Sequence, residues 1–106
     1  MLHHVLLVKL KQDLPPSAVE NLMVETRIRL LKIPEVRNLQ CGKKIDTKNN
    51  PYDFFLAMDL ESQAKLRVVQ ESAIYHQFQQ QILFPSALET LAYNYEMDPG
   101  KDIKFS

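Results

Sequence analysis

Two stretches of this chain are apolar on both sides of what reads as a β-strand. In Leu2–Lys11 (LHHVLLVKLK), His4, Leu6, Val8 and Leu10 fall on one side, while Val5 and Leu7 share the other with Lys9. In Tyr52–Leu60 (YDFFLAMDL), Phe54, Leu56, Met58 and Leu60 occupy one side, with Phe55 and Ala57 on the other. A sheet with helices on one face and water on the other alternates more cleanly than this. Both faces here need cover. The chain has 106 residues, which suits one domain with one core. Two helices cover only one face, so the second face predicts another subunit, and the pattern points to a homodimer.

The remaining segments fill in the architecture. Pro15 and Pro16 end the first strand. Ser17, with Glu20 three residues on, forms a capping-box pattern opening a helix that carries Val19, Leu22, Met23, Thr26 and Leu30 at helical spacing. Ile33-Pro34 stops it. Val36–Ile45 reads as a second strand, in which Gly42 marks a bulge or a close backbone approach. Asp46–Pro51 is a turn-rich connection to the Tyr52–Leu60 strand. Ser62 opens a second helix through Gln70, and Ser72–Leu83 is helical in composition until Pro85 breaks the stretch or starts a final short helix. Leu91–Met97 is the closing strand. The order β-α-β-β-α-β predicts an α+β, ferredoxin-like domain over 1–97 with a four-stranded antiparallel sheet, followed by a short polar tail over 98–106.

Charge and cysteine usage narrow the partners. Thirteen Lys+Arg balance thirteen Asp+Glu, so no basic excess points to nucleic acid, and near-zero charge does not oppose self-association. The apolar run Val5–Val8 is too short for a signal sequence or a membrane span. Cys41 is the only cysteine, without a disulfide or CxxC partner, which suggests a reducing, cytoplasmic setting. His3 and His4 are strand neighbours that point apart, and no carboxylate is placed to join them with His76, so no metal is expected. No glycine loop for a phosphate cofactor is present, and the expectation is cofactor-free chemistry.

Several short pieces together resemble a known family. They are His4-Val5-Leu6-Leu7-Val8-Lys9-Leu10-Lys11, Ile33-Pro34-Glu35-Val36, Gly42-Lys43, Leu60-Glu61-Ser62, His76, and Asn94-Tyr95-Glu96 where the family tends to show Asp-Tyr. The match is to the stress-responsive A/B barrel (Dabb) family of dimeric ferredoxin-like proteins and spans nearly the whole chain. The resemblance implies paired sheets forming a barrel across a dimer, with a pocket between each sheet and its own helices. Many members have no assigned reaction; a plant polyketide cyclase performs an intramolecular aldol condensation, and some bacterial relatives belong to pigment or secondary-metabolite pathways. In the cyclase, a histidine on the second helix region acts with a tyrosine, near another histidine on the first strand. His4 matches the first-strand histidine. Counting back from the closing strand selects His76 for the helix position, whereas counting forward from Leu60-Glu61-Ser62 selects Tyr75. The family's tyrosine followed by His-Pro-x-His is replaced by Val69-Gln70-Glu71-Ser72-Ala73-Ile74-Tyr75-His76, and its tyrosine position falls on Val69 or Gln70.

An imidazole titrates near neutrality and suits proton removal beside a carbonyl. His76 is the candidate general acid/base, His4 its assistant or a satisfied structural histidine, and Tyr75 a third candidate. Leu22, Met23, Thr26, Leu56, Met58, Phe78 and Ala92 fall on the faces expected between helix and sheet, as pocket walls or as plain core. The expected function is binding of a small apolar or carbonyl-containing molecule in secondary metabolism, with cofactor-independent cyclisation or condensation of a polyketide-like or other carbonyl intermediate as its catalytic form. The alternatives are a non-catalytic accessory, carrier or stress-stabilising dimer, and a monooxygenase of the related dimeric-barrel type.

Overall fold

A computed structural model describes residues 1–46 and 48–98. Of the expected polar tail over 98–106, only Asp98 falls among the described residues. Four strands form one antiparallel sheet: β1 (Leu2–Leu10), β2 (Arg37–Lys43), β3 (Phe54–Leu60) and β4 (Ala87–Glu96), in the order β2-β3-β1-β4. Helices α1 (Ser17–Leu30), α2 (Gln63–Glu71) and α3 (Ala73–Phe78) follow β1 and β3, with a π-helical turn at Gln79–Leu83 and a single turn α4 at Phe84–Ser86 leading into β4. This is the ferredoxin-like α+β fold.

The core lies between the helices and one sheet face. Leu6, Val8, Phe54, Leu56, Met58 and Leu60 from the strands meet Leu22, Leu30, Leu66, Val69, Phe78 and Leu83 from the helical layer, all buried. Each such side chain contributes about 1.5–3 kcal/mol of transfer free energy. The opposite face carries Val5, Leu7, Phe55 and Leu91, half-buried, with Tyr93 and Tyr95 exposed beside them. The face alternation read from β1 and β3 is therefore the one observed.

Local details depart from the sequence reading at three points. The helix α1 starts at Ser17 itself, with Pro16 in the cap position and no side-chain capping bond. Proline is pre-set for a helical start, so the helix begins a residue early, Ser17 lies inside it, and Glu20 pairs with Lys43 across on β2 instead. The bulge falls at Asn38, whose φ of 50° accompanies the register shift between Arg37 and Gln40; asparagine tolerates that conformation. Gly42 is instead the close approach. Finally, β4 begins at Ala87 rather than Leu91, because Ala87 and Glu89 join the ladder with Leu10 and Lys9 across a second register shift. Pairing with β1 overrides the weak strand composition of Ala87-Leu88-Glu89.

The break between α2 and α3 is made by one side chain. Ser72 is extended (ψ 148°); its hydroxyl donates to the Val69 carbonyl at 2.7 Å and accepts from the Tyr75 amide at 3.2 Å. The wider π turn precedes Pro85, which lacks an N–H and whose ring would crowd the Gln81 carbonyl in a regular helix.

Candidate functional site

The two ends of the chain build the site. β1 and β4 run antiparallel with His4 opposite Asn94, and β1 and β3 set His4 opposite Met58. His4 lies on the helix-facing side and is 2% exposed. Its Nδ1 is 2.6 Å from Asn94 Oδ1. A carbonyl oxygen only accepts, so Nδ1 carries the proton and donates, which leaves Nε2 with a free lone pair in the neutral ring. Nε2 makes no hydrogen bond among the described residues. This is the arrangement of an oriented base.

Asn94 reaches both inward and outward. While it accepts from His4, it also lines a cleft of 330 Å³ with Leu2, Ser62, Gln63, Tyr95 and Glu96. Thr90, Ala92 and Asn94 share the helix-facing side of β4 with His4, Leu6 and Val8 of β1, yet all three are exposed. The helices cover β1 and β3 but stop short of this strip. It forms an open shelf beside a buried imidazole.

The other expected residues are placed differently. His76 is exposed on α3, its backbone amide bonded to the Ser72 carbonyl at 3.0 Å, and no side-chain hydrogen bond joins it to His4 among the described residues. Its neighbour Tyr75 is buried beside Phe78, with ring centroids 6.1 Å apart, and burial pushes its phenol up to about 12. It is a neutral hydroxyl at any physiological pH. Leu22, Leu56, Met58 and Phe78 are packed core, at 0–2% exposure, and Met23 packs against them half-buried. Thr26 is fully buried with its hydroxyl donated to the Leu22 carbonyl at 2.6 Å. Of the expected pocket walls, Ala92 alone stands on an open surface, two residues from Asn94. Asn94 itself was legible only as part of a family motif; antiparallel pairing of the first and last strands would have set it opposite His4.

Two further groups bear on chemistry. On the other sheet face, His3 Nδ1 lies 2.7 Å from Asp59 Oδ1 and Asn38 donates to Asp59 Oδ2 at 2.8 Å. Burial pushes the Asp59 carboxyl up, but the hydrogen bonds from Asn38 and His3 outweigh it and hold it below the usual carboxylate range. Burial likewise pushes the Cys41 thiol up, against the pull of Arg27, and its Sγ faces the Met23 carbonyl at 3.7 Å. The thiol stays protonated and is a poor nucleophile. Among the described residues, no group of three or more His, Cys, Asp or Glu is placed to hold a metal ion, and no helix is long and apolar enough to cross a membrane.

The comparisons with known proteins agree with this fold. The model of the stress responsive A/B barrel domain matches residues 2–97. No curated protein matches the chain significantly. Among solved structures, a Dabb family protein with a ferredoxin-like fold from Mesorhizobium loti is 19% identical, covers 91% of this chain and 95% of its own, and has a TM-score of 0.78. A dimeric ferredoxin-like protein of unknown function from Thermobifida fusca is 21% identical over 91% of this chain and 90% of its own, at a TM-score of 0.80. The hydroxynitrile lyase of Passiflora edulis is 15% identical over 95% and 96%, at 0.77. At these identities the likeness to each structure is one of fold. With nearly its whole length matched by the family model, the chain belongs to the stress-responsive A/B barrel (Dabb) family.

Proposed function

We propose that the chain works as a homodimer that binds a small, largely apolar carbonyl compound of secondary metabolism. In this proposal it makes or breaks a carbon–carbon bond beside the carbonyl without a cofactor. The supporting observation is the His4–Asn94 pair: a buried imidazole with its tautomer set by a 2.6 Å bond, next to an uncovered shelf. His4 takes the catalytic role here, and His76, exposed on α3, does not need to reach it. In the cleavage direction, Nε2 removes the substrate's hydroxyl proton. The carbon–carbon bond then breaks to give a carbonyl, and the departing carbanion takes the proton back. Condensation is the reverse. Tyr75, a neutral phenol, helps only by packing. The lone free thiol suits a reducing cytoplasm.

The dimer is supported by the uncovered sheet face, where Val5, Leu7, Phe55, Leu91, Tyr93 and Tyr95 have no helix above them among the described residues, and by the dimeric description of the Thermobifida fusca protein. Light scattering on the eluting protein should give twice the 12.3 kDa chain mass.

The catalytic reading is tested with two benzaldehyde-releasing probes, mandelonitrile and a β-hydroxy ketone of benzaldehyde and acetone. Release above the uncatalysed rate, reduced at least tenfold in His4→Gln and retained in His76→Ala, is the expected result. Absence of release with both probes, or release indifferent to His4, favours the second reading, a non-catalytic accessory dimer. The close packing of Leu22, Thr26, Leu56, Met58 and Phe78 is the observation that speaks for it.

A further inference from the structure

A wide cleft lies at the other end of β1 from His4. Its volume is 790 Å³, and its walls come from the end of β1, the start of α1 and the connection from β2 to β3. Four lysines line it, Lys9, Lys11, Lys43 and Lys44, against one aspartate, Asp53. A chain of zero net charge has thus gathered nearly a third of its thirteen basic residues around one hollow.

The local ion pairs leave part of that charge unspent. Lys43 pairs with Glu20, and Lys44 with Asp53 at 3.2 Å. Lys44 also donates to the Asn50 carbonyl at 3.0 Å, and Asp53 Oδ2 accepts from the Leu10 amide at 2.8 Å. Both carboxylates are therefore engaged. Lys9 and Lys11 form no ion pair among the described residues, although Glu89 stands opposite Lys9 on β4. The rest of the wall is apolar: Leu10, Leu14, Pro15, Pro16, Val19 and Pro51.

We infer that this cleft is a binding site for an organic phosphate monoester, its phosphate between Lys9 and Lys11 and its apolar body against Leu14, Pro15 and Val19. Two unpaired ammonium groups match the charge of about −1.5 to −2 on a phosphate monoester at neutral pH better than the single charge of a carboxylate. Lysine serves phosphate as a mobile point charge, which suits flexible side chains on an open rim. The first turn of α1 forms one wall and has no side-chain cap, so its dipole adds to the same field. The site lies about 16 Å along the strand from His4 at the usual rise per residue and stands or falls independently of the chemistry proposed there; Lys9, at the strand end of the face that carries Val5 and Leu7, places the cleft at the margin of the proposed dimer face.

The test is a ¹H–¹⁵N chemical-shift titration of the intact protein with phenyl phosphate, benzoate and inorganic phosphate. Phenyl phosphate should give saturable shifts at Lys9, Lys11, Ala18 and Val19, with affinity at least fivefold above that of either other probe. The double variant Lys9→Gln/Lys11→Gln should weaken it at least tenfold while leaving the spectrum folded. If that variant loses its native spectrum, Lys11→Gln alone, at an exposed position, should weaken binding at least threefold. Absence of saturable shifts with phenyl phosphate, equal affinity for benzoate, or unchanged affinity in the folded lysine variant would overturn the assignment.

Discussion

The Phe55 ring lies across Gly42 on the uncovered sheet face, so close that a Cβ built on the glycine would stand 2.7 Å from Phe55 Cε1. The two residues are opposite each other in the β2–β3 ladder, and an aromatic ring laid over a strand glycine shields backbone that the missing side chain leaves bare. Gly42→Ala should therefore displace the ring rather than the strand. Because the ring is only half-buried within the chain, the cost should be about 1 kcal/mol, read from urea unfolding. The same variant should weaken self-association, since Phe55 belongs to the face proposed to meet the partner.

The serines of the helical layer should rank by position. Ser62 accepts from the Lys65 amide at the start of α2, and Ser72 caps α3 while bonding back to Val69. Each changed to alanine should lose about 1 kcal/mol in denaturant unfolding. Ser17, one residue inside α1, should lose under about 0.5 kcal/mol. A loss at Ser17 as large as at Ser62 would restore the capping box that the sequence suggests.

Much of the fold was legible because β1 and β3 are short β-rich runs, apolar on both faces and bounded by turn residues, and strand geometry places His3 and His4 on opposite faces. What the sequence concealed depends on contacts distant along the chain. Glu20 has the spacing of a capping partner, but Lys43 on β2 attracts it once Pro16 starts the helix. Ala87-Leu88-Glu89 has no strand signature, and only the β1 ladder recruits it. Core and pocket wall have the same composition, so Leu22 and Met58 gave no sign of which they would be. The exposure of Ala92 depends on where the helices stop, which no periodicity records.

Acid stability should report on Asp59. Its carboxyl is held below the usual range in the folded chain, so its contribution is present above the unfolded value of about 3.9 and disappears as pH falls through the folded value. Urea midpoints between pH 2 and pH 7 should show this as a steepened acid limb. Asp59→Asn should flatten that limb and lower stability most at the neutral end, where the wild-type carboxylate is charged.

Alkaline titration should single out Tyr75. Of four tyrosines, it is the one pushed up to about 12, by burial. Folded stability owed to its neutral form is complete below the unfolded value of about 10 and is lost as pH rises toward 12. Tyr52 is also raised, by burial and then by the neighbouring Glu89 charge, so phenolate absorbance should show a last-titrating group near 12 that Tyr75→Phe removes. A last step near 12 that persists in that variant, or its absence from the unaltered protein, would contradict the burial of the Tyr75 phenol.

The His4–Asn94 pair carries the proposed chemistry, and its tautomer is directly measurable. Long-range ¹H–¹⁵N correlation spectra of the neutral imidazole should show His4 with a protonated Nδ1 and a bare Nε2, and Asn94→Ala should shift the ring toward the opposite tautomer. A neutral His4 protonated on Nε2 in the unaltered protein would contradict the assignment of His4 as an oriented base.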